Sequence, residues 1–348
     1  MMNEAVGLPE VVAAIMVLAL NAYALTGGAD FGGGVWDLLA RGPRRDAQRA
    51  LIASQIGPIW EANHVWLILV IVMLFTAFPA AFAALSIVLH LPLTLMLLGI
   101  VLRGSSFVFR SYGARDDASQ QRWGRVFAVA SVVTPLVLGT IVGAIASGSS
   151  GAAAMHLDAG DTVRPSFASV FVAPWLAPFP LALGALALAM FAFLAAVYLA
   201  FAAPDSALRD DFRRRAFGAA AAMFVAAFAA LGLAHVWEPE VSGALLRGRA
   251  ITFQLVVAVA ALVALWAIWR RRWRLARMAA AAQVSLILWG WVLVQRPYVV
   301  PPMLTVRDAA APRITLELLL GALAVGAMVL LPALVYLFRT FAAERRAR

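Results

Sequence analysis

Neither cysteine nor lysine occurs anywhere in the 348 residues. Without cysteine there are no disulfides, no thiolate nucleophiles, no Cys-ligated iron–sulfur clusters and no C-x-x-C-H route to covalent haem; the redox compartment stays undetermined. Charge is scarce as well. Charged residues make up 13% of the chain, about half the roughly one quarter that clothes a soluble domain. With 64% hydrophobic residues and a mean hydropathy of +0.88, the missing polar surface must face acyl chains. All 28 basic residues are arginine, which together with the Ala-rich spans reads as compositional bias without a mechanism. The net charge of +10 would suggest nucleic acid in a soluble protein, but here the charges lie in loops between apolar spans, and no nucleic-acid partner is expected.

A bilayer core of about 30 Å takes ~20 apolar residues per helix. Nine such stretches are present, near 9–36, 52–78, 80–103, 123–147, 175–203, 213–236, 250–270, 275–295 and 314–339. The expected fold class is therefore an all-α polytopic membrane protein forming one integral membrane domain over 1–348. The second and third stretches meet around Pro79, where a tight hairpin is expected. The N-terminus has neither a basic n-region nor a small-residue cleavage site, so the first span reads as a retained helix. No fixed-period repeat, low-complexity linker or soluble domain is evident, and the longest extramembrane stretch, 148–174, reads as a periplasmic loop.

Arginines set the expected orientation. Clusters follow spans one (Arg41 to Arg49), three (Arg103 to Arg125), five (Arg209 to Arg215), seven (Arg270 to Arg277) and nine (Arg339 to Arg348), 22 in total against 6 in the alternate loops. The positive-inside rule then puts the N-terminus outside and the C-terminus in the cytoplasm of a bacterial inner membrane. Trp175, Trp237, Trp269 and Trp273 lie near span ends and read as interface anchors.

Four ionisable residues fall at membrane depth, where each needs a partner, a wet cavity or a function. Asp30 stands eleven residues before Arg41 and Glu61 eleven after Ala50, so in continuous helices both lie ~16 Å from the cytoplasmic loop. His64 shares the face of Glu61, and His90, 13 residues before Arg103, is expected near the midplane, ~20 Å away. Asp30, Glu61 and His64 are candidates for a proton relay from the cytoplasm; the bland alternative is a hydrogen-bonded polar cluster joining helices. His90 could equally bond a backbone carbonyl. Glu61-x-x-His64 has di-iron spacing, but no span supplies a second such motif, so no metal site is expected; haem ligation by His64 or His90 is the remaining metal alternative. The run Gly27 to Gly34 follows no strand and lacks nucleotide-loop spacing; Gly28-xxx-Gly32 reads as close helix packing around Asp30. Pro58 is expected to kink the second span one turn before Glu61, Pro297 to Pro302 to form a rigid extended segment, and the carboxylate preceding the last span to have a capping role.

Four segments carry a resemblance. They are Thr26 to Gly34, similar to T-D-G-F-D-x-G-x-G; Ile59-Trp60-Glu61-Ala62-Asn63-His64-Val65-Trp66-Leu67, similar to W-D-G-N-x-V-W-L; Leu102-Arg103-Gly104 through Phe107 to Arg110, similar to F-R-x-x-x-F-x-x-R; and Pro301 to Ala310, similar to P-x-x-L-T-x-x-D-A. Together, over roughly 20–112 and 296–315, they resemble subunit II of cytochrome bd quinol oxidases. The resemblance implies two four-helix bundles plus one peripheral helix, pairing pseudosymmetrically with a haem-carrying subunit I in which quinol is oxidised and dioxygen reduced. It implies no cofactor on this chain beyond a bound quinone or membrane lipid. Glu61 would inherit the proton-path carboxylate with Asp30 beside it, and Trp60, Asn63, Arg103 and Asp308 are structural or interface candidates. Gly27 and Ala29 depart from the family pattern, Gly27 replacing one of two carboxylates, and His64 adds a titratable group, so the path is either rebuilt or abandoned. Two other functions compete: a stand-alone proton-coupled transporter, although no internal symmetry is seen, and a membrane cytochrome using His64 and His90 as axial ligands.

Overall fold

The computed structural model describes residues 7–56, 60–112, 117–158 and 165–347, without the side chains of 60–62, 111–112, 117–118, 158, 249, 338 and 340–347. In an apolar chain every backbone group must be satisfied internally, and the long apolar runs accordingly become helices. These are α1 (Leu8–Leu38), α2 (Arg45–Ile56), α3 (Trp60–Ala77), α4 (Pro79–Val88), α5 (His90–Tyr112), α6 (Asp117–Ala146), α7 (Ser149–Asp158), α8 (Phe167–Phe171), α9 (Ala173–Leu176), α10 (Pro178–Ala202), α11 (Ser206–Trp237), α12 (Pro239–Leu245), α13 (Gly248–Trp269), α14 (Trp273–Gln295) and α15 (Arg313–Ala347). A two-stranded antiparallel hairpin, β1 (Tyr298–Val300) and β2 (Leu304–Thr305), interrupts them before α15. Among the described residues eight helices are long and apolar enough to cross a membrane, and counting the bent pair α3/α4 makes nine.

Helices α1, α3, α5 and α6 pack as one bundle and α10, α11, α13 and α14 as a second, joined where α10 lies against α1 and α6. The peripheral helix α15 touches α1 and α3, and its apolar window is 0% buried, against 61% for α6. The expected nine-helix, two-bundle architecture is thus the observed one.

Glycine makes the joint between the bundles. A methyl group at Gly28 would enter the ring of Phe191 on α10, and one at Gly32 would overlap the Phe191 carbonyl. The small-xxx-small pair therefore brings two backbones into contact, as its spacing suggested. Nearby, the Trp36 indole N–H donates to the Ala192 carbonyl at 2.7 Å, closing the same joint from the α1 side.

One sequence expectation changes. The Pro79 turn is not a hairpin between spans: α4 folds away from α3 by 117° and packs against α7 and the β-hairpin. Proline at the first position of α4 starts a new helix where it has no N–H to lose. The third span consequently begins at His90 and ends at Tyr112 instead of running 80–103. Of the second expected span, 52–78, the described residues place 52–56 at the end of α2 and 60–77 in α3. Pro58 lies outside the described residues.

At the other end of the bundles, charged side chains bind the helices together. Asp37, 2% exposed, receives Arg110 at 2.9 and 3.3 Å and has Arg49 at 3.6 Å. Arg44, just before α2, grips Asp211 at 2.6 and 2.7 Å, and Gln48 on α2 donates to the same carboxylate at 2.9 Å, tying α2 to α11. Arg213 donates to the Ile268 and Trp269 carbonyls at the end of α13, where a cation satisfies orphan acceptors.

Candidate functional site

Inside the first bundle a polar cluster is buried among apolar side chains. Asp30, on the glycine-rich part of α1, is 5% exposed, and Asn63 on α3 is 1% exposed. The Asn63 amide donates to the Asp30 carboxylate. Arg103 on α5 is 2% exposed, with its guanidinium carbon 4.8 Å from the centre of the Phe31 ring and 5.2 Å from that of Phe127. It lies within electrostatic reach of Asp30, Tyr23 and His64, and its Nε and Nη2 have no hydrogen-bond partner among the described residues. His64 is half-buried, its ring centre 6.2 Å from that of the buried Tyr23. A carboxylate, an amide, an imidazole and a guanidinium from three helices thus share one buried region. Chemically such a set can hold a charge pair at depth, and it can pass a proton between an ionised carboxylate and its neighbours.

Asp30 lies eight residues, ~12 Å, from the end of α1. Glu61 falls on the first turn of α3, its side chain, like that of Trp60, lying outside the described residues. Among the described side chains of α3 the hydrogen bond to Asp30 is made by Asn63, two residues on.

Three candidates lie elsewhere than expected. Arg103 is no loop charge: the shift of the third span places it inside α5, which removes one arginine from the inner count. His90 is exposed at the first residue of α5, with Nδ1 2.8 Å from the Ile87 carbonyl and its ring 5.1 Å from Phe171. It is not near the midplane, because α4 uses up the residues that would have carried it inward. His64 stands 13 residues, ~20 Å along α3, from the bend that leads to His90, so the two histidines do not face each other as axial ligands. Asp308 is exposed and accepts from the Thr305 hydroxyl at 2.5 Å, closing its own loop; α15 starts five residues later, and Asp308 does not cap it. Among the described residues no three His, Asp or Glu side chains gather as a metal site.

Sequence reading missed Tyr23, the Asp37–Arg110 pair and a large cavity. The cavity, 1870 Å³, opens between the second bundle and α1 and reaches Tyr23 and Phe191. One stripe of α14 faces it: Gln283, Ile287, Trp291 and Gln295, spaced four apart and so on one side of the helix. Gln283 Oε1, Trp291 Nε1 and Gln295 Oε1 are buried without a hydrogen-bond partner among the described residues. The signal was available in the sequence as polar side chains at i, i+8 and i+12 of an apolar span.

Comparison with known proteins gives a consistent picture. The family model described as cytochrome bd terminal oxidase subunit II matches residues 8–341. Cytochrome bd ubiquinol oxidase subunit 2 of Bacillus subtilis is 33% identical over 97 residues, 28% of each chain. Cytochrome bd-I ubiquinol oxidase subunit 2 of Escherichia coli is 30% identical over 129 residues, 37% of this chain and 33% of that one. The matched stretches thus span about a third or less of these relatives. The fold is similar to a chain of the bd oxidase from Geobacillus thermodenitrificans, with a TM-score of 0.78 and 18% identity over 96% of this chain and 98% of the other.

Proposed function

Since this chain belongs to the cytochrome bd terminal oxidase subunit II family, we propose that it is the haem-free subunit of a bd-type terminal quinol oxidase. It pairs with a haem-bearing subunit I that oxidises quinol and reduces dioxygen, and its own residues serve assembly and proton supply. The match over residues 8–341 carries this reading. The geometry supports it: α3 and α15 expose apolar residues such as Ile68, Phe75, Leu318 and Met328, a surface suited to a second membrane subunit.

The cytoplasmic proton path runs by way of Glu61 and Asp30, with Asn63 orienting the Asp30 carboxylate and Arg103 balancing its charge. His64 replaces neither carboxylate but adds a second proton acceptor on α3. The complex sits in the bacterial inner membrane with the N-terminus outside, following the arginine distribution. The cavity beside α14 takes the lipid or quinone associated with this subunit.

The test is to purify the chain from its native membranes through a C-terminal tag in mild detergent, identify what accompanies it, and record reduced-minus-oxidised visible spectra before and after separating the chains. The expected result is haem in a co-purifying membrane subunit and a colourless tagged chain. A chain that runs alone without haem would favour the transporter reading, and one that keeps haem itself would overturn the haem-free assignment.

A further inference from the structure

Tyr23, Gly27 and Asp30 stand at i, i+4 and i+7 of α1 and so share one side of that helix. The middle position has no side chain, and the buried Tyr23 ring lies over it. A Cβ at Gly27 would come within 2.8 Å of Cε2 and 3.0 Å of Cδ2 of that ring. The ring and a side chain at 27 therefore compete for one space. Folded back in this way, the phenol reaches one turn along α1 toward Asp30.

The Tyr23 ring centre is 6.2 Å from that of His64 on α3, and Tyr23 lies within electrostatic reach of both Asp30 and Arg103. The residue before His64 is Asn63, whose amide donates to the Asp30 carboxylate. Consecutive residues of α3 thus meet the two ends of the α1 stripe, Asn63 at Asp30 and His64 at Tyr23. Here too the chain departs from the pattern T-D-G-F-D, with Gly27 in place of the first carboxylate and His64 added on α3. In the structure the two departures face each other across Tyr23. Asp30 and Arg103 already place one charge of each sign in this region, and a carboxylate at 27 would bring a second negative charge into an apolar site. A phenol brings a transferable proton without a charge.

We infer that Tyr23 takes the place of the carboxylate absent at Gly27 and links Asp30 to His64 as a proton relay, with water completing the hydrogen-bonded chain. In one step the protonated Asp30 carboxyl gives its proton to the Tyr23 hydroxyl oxygen while that hydroxyl gives its own to a ring nitrogen of His64. One carboxyl O–H and one phenol O–H break, one phenol O–H and one imidazole N–H form, and Tyr23 stays neutral. The carboxylate left behind is balanced by Arg103, and His64 returns to its neutral form when it passes the proton on. The inference rests on the proton-path reading of Glu61 and Asp30, which it extends to a phenol and an imidazole. Gly27 then marks a path rebuilt, not one abandoned.

The whole complex, purified through the tagged chain, is assayed for quinol-driven oxygen consumption and for the fraction that stays intact on heating. Tyr23→Phe keeps the ring over Gly27 and removes only the hydroxyl. Its turnover is expected to fall about tenfold or more, toward the contribution of a positioned acid–base group, and to slow more in heavy water than that of the native complex. Tyr23→Ala with Gly27→Asp gives a carboxylate the space of the ring and should regain turnover over Tyr23→Ala alone, which a purely structural role of the ring would not produce. If Tyr23→Phe fails to assemble, this exchange decides by itself. Native turnover in Tyr23→Phe while Glu61→Gln is slow would overturn the relay and leave the proton path standing, as would an exchange variant no faster than Tyr23→Ala. Native turnover in both Tyr23→Phe and Glu61→Gln would remove the proton path itself and the relay with it.

Discussion

Removing both charges of the buried pair Asp30 and Arg103 should harm the protein less than the two single removals added together. Both side chains are at least 95% buried, with exposures of 5% and 2%, and no other ion pair of the described residues reaches either. They are not in direct ion-pair contact but interact electrostatically; beyond 4 Å and at an effective dielectric of ~20 such a coupling stays below about 4 kcal/mol and comes to ~2–3 kcal/mol. Asp30→Asn keeps a partner for the Asn63 amide but leaves the guanidinium with only the Phe31 and Phe127 faces, and Arg103→Met leaves a buried carboxylate held by one amide. Each single change is expected to cost about 3–5 kcal/mol, a large part of a typical total stability of about 5–15 kcal/mol. The double variant removes both charges and should recover the coupling, appearing ~2–3 kcal/mol more stable than the sum of the singles. The assay is the fraction of detergent-purified complex that stays intact in gel filtration after stepwise heating, with oxygen consumption measured on the same samples. If the cluster also moves protons, the double variant regains assembly but not turnover. Strictly additive losses of stability would refute the claim that these charges support each other.

Other outcomes follow from the same geometry. Glu61→Gln should slow oxygen consumption of the complex while leaving assembly intact; unchanged turnover would remove Glu61 from the proton path. Gly32→Ala drives a methyl group into the Phe191 carbonyl and should destabilise by about 1–3 kcal/mol through overpacking, whereas Ala at Gly218, where nothing lies nearby, should not; thermal melts of the two variants compare them directly. Arg110→Met leaves Asp37, whose side chain is 3% exposed, with Arg49 alone, while Asp37→Asn leaves Arg110 with access to water at 26% exposure. The arginine change should therefore be the worse of the two by about 1–2 kcal/mol, and equal losses in a melting assay would contradict this. Asp211→Asn breaks the pair with the solvent-exposed Arg44; it should cost little stability in a melting assay, and less as salt is raised.

How much of this was legible beforehand varies with the residue. The nine spans follow from hydropathy because lipid imposes one length on every crossing helix, and the tight approach at Gly28 and Gly32 follows from residue size. Asp30 could be flagged for the same reason, since a carboxylate in an apolar run is conspicuous. Asn63 is legible only as a structural or interface candidate through the resemblance, because a neutral amide leaves no electrostatic trace until a partner is placed beside it. Arg103 was misplaced among the loop charges: Pro79 admits both a tight hairpin and a lateral helix, and the choice shifts every later residue of that span. The same shift carried His90 from the midplane to the surface. Asp308 was taken for a cap because capping residues are recognised by distance from a helix start, and that start lies at Arg313.

The sequence by itself determined that this chain is a multi-spanning membrane protein, and its four motif segments pointed to its family, because composition and short-range spacing act through the lipid and through local backbone chemistry. Only the tertiary structure decided which polar residues meet. The Asp30–Asn63 contact, Arg103 stacked between Phe31 and Phe127, the Asp37–Arg110 clamp and the cavity along α14 each join residues from helices far apart in the chain. Helical spacing says which side chains share a face, but the neighbour that face meets depends on how helices bend and cross, and a single 117° turn after Ala77 reset that for a whole span.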